Sequence, residues 1–171
     1  MKKIIISIYN SPAGVLIIGA FDDRICLCDW INGKRRDSIS RHMERRLDAK
    51  YEEGTSPVIE QAIAQLDEYF AGKRTSFDIP IHLTGTEFQQ SVRRELMNIP
   101  YGNTISYAVL AQRIGKPKAV RAVASANATN PISIFVPCHR VVGSDNRLTG
   151  YGGGLATKRF LLEVEGVKNI K

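Results

Sequence analysis

The sequence predicts an α/β fold in the N-terminal half and a mainly helical fold in the C-terminal half. Three β-rich runs open the chain and indicate a sheet. From residue 86 onward, apolar residues recur at helical spacing between short turns. The change falls at Thr84-Gly85-Thr86, so we expect domains at residues 1–83 and 84–171. A length of 171 residues accommodates two small domains.

The N-terminal elements follow from hydrophobic spacing and turn residues. Strands are predicted at Lys3–Tyr9, Val15–Phe21 and Ile25–Ile31, in an antiparallel meander. A solvated helix is predicted from Lys34 to Glu53, because apolar residues recur there every fourth position. Ser56-Pro57 begins a second helix that ends at Gly72. Phe77–Ile81 is predicted to be a short strand.

The C-terminal half is predicted to contain consecutive helices. Thr86 and Gln89 form a capping box for a helix whose apolar face carries Phe88, Val92, Leu96 and Ile99. A second helix runs from Tyr107 to Ile114 and is closed by Gly115. A third has Pro117 in its first turn and continues through Ala119–Ala126. Two helices joined by a short turn that contains glycine have the helix-turn-helix spacing.

The charge of the chain suggests a polyanionic partner. Lys and Arg number 24 against 17 Asp and Glu, a net charge of +7. Nucleic acid is the first candidate, an anionic membrane surface the second, and a basic protein without such a partner the third. No apolar run reaches the roughly 18 residues of a membrane span, which excludes an integral membrane protein. Three cysteines do not suit a disulfide framework and fit a reducing cytoplasm.

The predicted helix-turn-helix has two features that DNA binding would use. Basic residues cluster around its turn and second helix, at Arg113, Lys116, Lys118 and Arg121. Small residues on the second helix, Ala119, Ala122 and Ser125 among them, would let its backbone approach a groove. Tight helix packing beside a solvated charged face explains the same residues equally well, so both interpretations stay open.

A reactive cysteine is the main catalytic candidate. Ser133–Val136 is predicted to be a buried strand that Pro137 ends, so that Cys138 lies at a turn. A free thiol has a pKa of about 8.5 and needs a nearby base or positive charge to react, which His139 and Arg140 supply. The alternative is an inert buried thiol beside a structural histidine.

The other two cysteines have a different predicted role. Cys26 and Cys28 would share one face of a strand about 6.6 Å apart, a geometry that does not suit a disulfide. With His42 or His82 they could ligate a metal, but no CxxC spacing supports a metal site. We expect both thiols to lie in the core and no metal to be bound.

The C-terminal segment combines flexible and helical residues. The glycine-rich run 150–154 permits close backbone approach to a ligand. A terminal helix is predicted over Thr157–Glu165 and packs through Phe160, Leu161 and Val164. Glu163 or Glu165 at its acidic end could orient a histidine imidazole.

Together these segments resemble the O6-alkylguanine-DNA alkyltransferases, the methylated-DNA–protein-cysteine methyltransferases. The similarity is dense from residue 85 to residue 166. Its blocks are Gly85-Thr86-Glu87-Phe88-Gln89, Ile99-Pro100-Tyr101-Gly102, Ala119-Val120-Arg121-Ala122-Val123, Asn130-Pro131, Pro137-Cys138-His139-Arg140-Val141 and Leu148-Thr149-Gly150-Tyr151.

The resemblance implies a ribonuclease-H-like N-terminal domain and a C-terminal domain with a helix-turn-helix. It implies single-turnover DNA repair, in which the alkyl group of O6-alkylguanine moves to the protein's own cysteine after the base is flipped. Whether O4-alkylthymine is also accepted stays open. The partner would be double-stranded DNA, and we expect a monomer without cofactor or membrane association.

The resemblance also assigns roles to residues. Cys138 would accept the alkyl group, His139 would act as base through a water, and Glu165 would hold the other histidine nitrogen. Asn130 would be a hinge and Tyr107 would help to turn the base.

On the DNA side, the resemblance implies that Arg121 fills the vacated stack. The rest of the minor-groove surface would be Lys118, Ala119, Ala122 and Ser125. The Val141 backbone, Tyr151 and Gly152 would line the guanine pocket, with Lys158 near that loop.

Two residues depart from the family pattern, and two other functions compete with repair. Arg93 stands where the family usually has Trp, and we expect a packing or surface change. Asn146 replaces a turn glycine and tolerates the left-handed conformation. A damage sensor without chemistry would lack Cys138, whereas a cysteine hydrolase built on Cys138, His139 and Glu165 would turn over repeatedly.

Overall fold

A computed structural model describes residues 2–171 and contains a sheet-based N-terminal domain and a helical C-terminal domain. The strands are β1 Lys2–Ser11, β2 Gly14–Phe21, β3 Arg24–Trp30, β4 Ala49–Glu53, β5 Ile105–Ser106 and β6 Val141–Val142. The helices are α1 Arg36–Leu47, α2 Pro57–Phe70, α3 Glu87–Leu96, α4 Tyr107–Arg113, α5 Val120–Ala128 and α6 Leu155–Val164. A single 3₁₀ turn covers Cys138–Arg140. Within residues 2–171, no helix has the length and apolar character to cross a bilayer.

The N-terminal sheet is mixed, with strand order β3-β2-β1-β4. The antiparallel meander β1-β2-β3 is confirmed. The prediction of one helix from Lys34 to Glu53 is wrong in its last part, because Asp48 adopts a left-handed conformation (φ +47°) and ends α1. Residues 49–53 then pair in parallel with β1 as the edge strand β4. Their polar sequence suits an edge that faces water, and it gave no strand signal.

The β3 edge is covered by two irregular segments. Ile25 N donates to Pro80 O (2.9 Å), and Cys28 N donates to Pro131 O (2.9 Å). The predicted strand Phe77–Ile81 is therefore reduced to one bridge at Ile81. The predicted strand Ser133–Val136 is also wrong, because the segment folds into turns in which Ile134 has a φ of +71°.

Two hydrophobic clusters lie on opposite faces of the sheet. On one face, Ile39 and Met43 of α1 pack against the sheet. On the other, the α2 residues, Leu66 among them, belong to a core that continues without a break into the C-terminal helices. A β-bulge opposite Gly19 and Ala20 shifts the pleat of β3. Consequently Cys26 and Cys28 are buried in different clusters, and the expectation that they share a face is wrong.

The helices begin and end close to their predicted positions. Ser56 caps α2 with Pro57 in its first turn, and the capping box of α3 is confirmed. The turn between α4 and α5 runs over residues 114–119, so Pro117 precedes the helix rather than starting it. In α6, Phe160 is 36% exposed and faces solvent, contrary to prediction.

Candidate functional site

Cys138 begins the 3₁₀ turn and is only 5% exposed. Its amide donates to Val136 O (2.8 Å), and Arg140 N donates to Pro137 O (3.0 Å). The prediction that Pro137 delivers Cys138 to a turn is confirmed. Neighbouring side chains of an extended strand point to opposite faces, whereas this turn does not separate Cys138 and His139 in that way, so the two can cooperate.

The Asn130 side chain shapes the loop that leads to this turn. Its Nδ2 donates to Val136 O (2.9 Å) and to Ile132 O (3.3 Å), while its Oδ1 accepts from Ile132 N (3.1 Å). One buried amide thereby holds both ends of the segment 132–136. This contact connects the C-terminal end of α5 to the loop that carries Cys138.

His139 is fully buried and bonded to Glu165, whose Oε2 lies 2.7 Å from His139 Nε2. A carboxylate can only accept, so Nε2 carries the hydrogen and Nδ1 of the neutral ring carries the lone pair. His139 Nδ1 is buried and makes no hydrogen bond to residues 2–171. The ring therefore retains one unused basic nitrogen.

Glu165 is the centre of a buried network that ends α6. Arg140 Nε donates to its Oε1 (2.9 Å), Tyr69 Oη to its Oε2 (2.7 Å), and Gly102 N to its Oε1 (3.1 Å). Burial alone would raise the pKa of Glu165, but the hydrogen bonds and charges of His139 and Arg140 lower it to about 2. Glu165, and not the exposed Glu163, is thus the acidic partner of the histidine. The sequence analysis missed Tyr69, since a buried helical tyrosine carries no functional signal.

The thiol and the imidazole are both favoured in their neutral forms. Burial raises the pKa of Cys138, and a nearby Asp29 raises it further, whereas Asn130 and the Lys158 charge oppose the shift. Burial lowers the pKa of His139, although Glu165 opposes that shift. A neutral thiol next to a neutral imidazole can become a thiolate by giving its proton to that base.

Cys138 lines a narrow cavity together with Tyr151 and Gly152. Its other wall comes from the N-terminal domain and includes Asp29 and Arg35, which sequence reasoning did not select. Trp30 Nε1 donates to Tyr151 Oη (3.2 Å) and so supports the loop from the same side.

Three predicted site residues lie behind this cavity rather than on its wall. Lys158 is fully buried, and its Nζ donates to Val141 O (2.6 Å) and Thr149 O (3.3 Å). Tyr107 Oη lies 2.6 Å from Thr149 Oγ1. These contacts join α4, α6 and the segment before the glycine-rich run, so the side chains of Lys158 and Tyr107 and the carbonyl of Val141 fix the position of the loop.

A basic surface surrounds α5. Arg121, Ala122 and Ser125 are exposed on one face of the helix, and Lys118 in the preceding turn is exposed as well. Ala119, the N-cap residue, is half-buried. The opposite face packs through Val123 and Ala126. The charged and small residues singled out in the sequence therefore lie on the solvent side.

Comparison with known proteins gives matches along the whole chain. A family model described as 6-O-methylguanine DNA methyltransferase, DNA binding domain, matches residues 87–167. A second, described as the ribonuclease-like domain of the same protein, matches residues 4–83.

The alignments with individual relatives span almost the full length of both proteins. The methylated-DNA–protein-cysteine methyltransferase of Methanosarcina acetivorans is 41% identical over 160 residues, which is 94% of this chain and 97% of that protein. The constitutive enzyme of Bacillus subtilis is 43% identical over 164 residues, 92% of this chain and 93% of its own. Among solved structures, Mycobacterium tuberculosis OGT in complex with DNA is 40% identical with a TM-score of 0.80, covering 95% of this chain and 92% of that one.

Proposed function

The chain belongs to the methylated-DNA–protein-cysteine methyltransferase family, and from this premise we propose which of its residues carry out each step. The protein repairs DNA by moving an alkyl group from damaged DNA to one of its own cysteines. We assign the acceptor to Cys138. The observation that carries this assignment is that Cys138 lines a cavity and is followed in the same turn by His139, whose Nε2 is bonded to Glu165.

In the proposed reaction, His139 Nδ1 takes the thiol proton through a water molecule. Glu165 keeps Nε2 protonated and stabilises the imidazolium that forms, because its lowered pKa holds it as a carboxylate. The Cys138 sulfur then attacks the alkyl carbon. The S–C bond forms as the C–O6 bond breaks, and the electron pair leaves with the guanine oxygen.

The product explains why each molecule reacts once. The S-alkyl cysteine that forms is a thioether, which has no good leaving group, so the free thiol is not regenerated. The reaction is a displacement at carbon that the thiolate itself performs. Lys158 and Val141 would act as positioning residues, since they hold the loop without lining the cavity.

Base flipping is proposed for the DNA side of the reaction. The alkyl carbon is inaccessible inside the stacked duplex, and extrusion costs a few kcal/mol. Helices α4 and α5 would form the helix-turn-helix, and the small exposed face of α5 with Ala122 and Ser125 supports close approach to the minor groove. Arg121 has the length and exposure to fill the vacated stack. Tyr107, whose hydroxyl lies against Thr149, would help to turn the base and contact it.

The domain organisation is proposed on similar grounds. A meander followed by a helix and a strand parallel to β1 supports a ribonuclease-H-like N-terminal domain. A boundary between residues 83 and 84 is supported by the extents of the two family matches. Three free thiols support a cytoplasmic location.

Intact mass spectrometry tests the proposed acceptor. After incubation with excess O6-methylguanine duplex, we expect one methyl increment per protein, mapped to Cys138. The variant Cys138→Ser should gain no mass and leave the lesion in place, whereas Cys26→Ser should react like the parent protein. Methylation of another residue would overturn the assignment, and repeated turnover without a mass change would instead indicate a hydrolase.

A further inference from the structure

A second cavity lies between α1 and the C-terminal domain. Cys138 does not line this second cavity. Arg35 and Ile39 lie between the two cavities and line both. Its polar wall consists of Arg35, Ser38, His42 and Arg46 from α1 and its N-cap, with Gln89 and Arg93 from α3. The alkyl-transfer mechanism uses none of these side chains.

The sequence spacing of α1 concentrates positive charge on this wall. Arg35, Ser38, His42 and Arg46 are three or four residues apart and so share one helix face. Ile39 and Met43 form the apolar floor between them. In the chain from residue 2 to residue 171, no Asp or Glu lines the cavity. The arginines of the wall thus have no carboxylate facing them across it.

Arg93 is the buried part of this wall, with an exposure of 3%. Its guanidinium donates to Thr84 O (2.8 Å) and to Thr129 O (3.0 Å), both neutral carbonyls. Its Nε is buried and has no hydrogen-bond partner in the described part of the chain. Burial, with a contribution from the charge of Arg46, lowers the pKa of Arg93 to about 10.

A buried guanidinium without a counter-charge is costly, and a second guanidinium nearby adds to the cost. An oxyanion in the cavity would compensate the buried charge of Arg93 and reduce its repulsion with the second guanidinium. It would also accept charge-assisted hydrogen bonds from several donors at once. The planar guanidinium and the hydroxyl of Ser38 suit the tetrahedral arrangement of phosphate oxygens. A carboxylate would leave part of this donor set unused.

We propose that this cavity is a phosphate-binding site formed by Arg35, Arg46 and Arg93. No step of the alkyl transfer is assigned to these three arginines, although Arg35 also lines the Cys138 cavity. Its occupant carries a phosphate group, either as free inorganic phosphate or as a phosphodiester of bound DNA.

Phosphate titration of two charge-matched variants tests the site. Arg45 and Arg46 are both exposed, but only Arg46 lines the cavity. With inorganic phosphate at constant ionic strength, calorimetry should detect binding to the parent protein and to Arg45→Gln. Arg46→Gln should bind about tenfold more weakly, as expected for loss of one charged hydrogen-bond donor. Absence of phosphate binding to the parent protein, or equal affinities in the two variants, would overturn the proposal.

Titration with an undamaged duplex then distinguishes the two sources. If the occupant is a DNA phosphodiester, Arg46→Gln should bind the duplex more weakly than Arg45→Gln. The slope of log K against log salt concentration should also be smaller in magnitude by about one for Arg46→Gln. Inorganic phosphate should then compete with the duplex. If the occupant is free phosphate, the two variants should bind the duplex equally and phosphate should bind alongside it.

Discussion

The 2.7 Å contact between His139 Nε2 and Glu165 Oε2 decides which nitrogen of the imidazole can accept a proton. We expect His139→Gln to slow alkyl transfer at pH 7 by about a hundredfold, the usual contribution of a general base. The rate of the variant should rise with pH, because hydroxide then forms the thiolate that the imidazole no longer produces. Single-turnover rates on O6-methylguanine duplex between pH 6 and 9 measure this effect. A rate at pH 7 equal to that of the parent protein would rule out His139 as the base.

The lowered pKa of Glu165 implies that the unfolding free energy falls in acid. Its pKa is about 2 in the folded protein and about 4.3 when unfolded, so its contribution is complete above the unfolded value and disappears as the pH falls towards 2. The shift corresponds to about 3 kcal/mol of unfolding free energy. Urea unfolding at pH 7, 5 and 3 should show a steeper loss for the parent protein than for Glu165→Gln.

The same variant has a second consequence at neutral pH. Arg140 would remain buried without its charged partner, which should cost about 3–5 kcal/mol. Glu163→Gln, an exposed control two residues away, should unfold like the parent protein at every pH. Equal stability of the two variants at pH 7 would contradict the role of Glu165 as the centre of the network.

Arg121 tests the proposed flipping step. Arg121→Ala should slow repair of duplex DNA by about tenfold or more, since the extruded base then leaves an empty stack. Its reaction with free O6-benzylguanine should be unchanged, because that substrate needs no flipping. Arg94→Ala, which removes an exposed arginine of α3, is the control. Equal losses on both substrates would remove the role given to Arg121.

Gly153 is predicted to be the sensitive position of the glycine-rich run. An alanine Cβ there would lie 2.8–2.9 Å from the Trp30 indole, whereas a Cβ at Gly150 would meet nothing within 4 Å. Gly153→Ala should therefore lower the unfolding free energy by about 1–3 kcal/mol, the cost of overpacking, and Gly150→Ala should have little effect. Thermal unfolding of the two variants decides the matter, and equal melting temperatures would contradict it.

Arg93 offers a stability test that complements phosphate binding. Arg93→Met keeps the length of the side chain but removes its hydrogen bonds to Thr84 and Thr129. We expect a loss of about 2 kcal/mol, since two partly buried carbonyls lose a partner. Arg94→Met changes an exposed neighbour and should stay within about 0.5 kcal/mol of the parent protein. Chemical denaturation of both variants checks the difference.

Local signals predicted much of the fold. The meander and the helix caps at Ser56 and Thr86 were recognisable because hydrophobic period and capping residues act within a few positions. Strand β4 was not, since its polar residues become a strand only by pairing with β1. The turns around Ile134 likewise depend on the Asn130 amide, a contact that hydrophobicity does not reveal.

Some residues of the site were likewise recognisable from the sequence, whereas others are shown only by the fold. Cys138, His139 and Glu165 were selected from motif and resemblance, and the structure brings the last two into contact. Asp29 and Trp30 come from a strand far away in sequence, so only the fold shows that they approach the cavity loop. Arg93 was expected to be a packing or surface change; its burial excludes the surface alternative, and its guanidinium joins Thr84 to Thr129, which the sequence did not reveal.

The covered edge of β3 has a consequence for expression of partial chains. Residues 131–133 bond to Cys28 on this edge, while charged Lys50, Glu52 and Glu53 protect the opposite edge on β4. A truncated chain that ends near residue 83 would expose apolar β3 along the backbone groups of Cys28. Such fragments are then expected to associate through their exposed β3 strands. By covering this edge, the C-terminal domain also protects the N-terminal domain from aggregation.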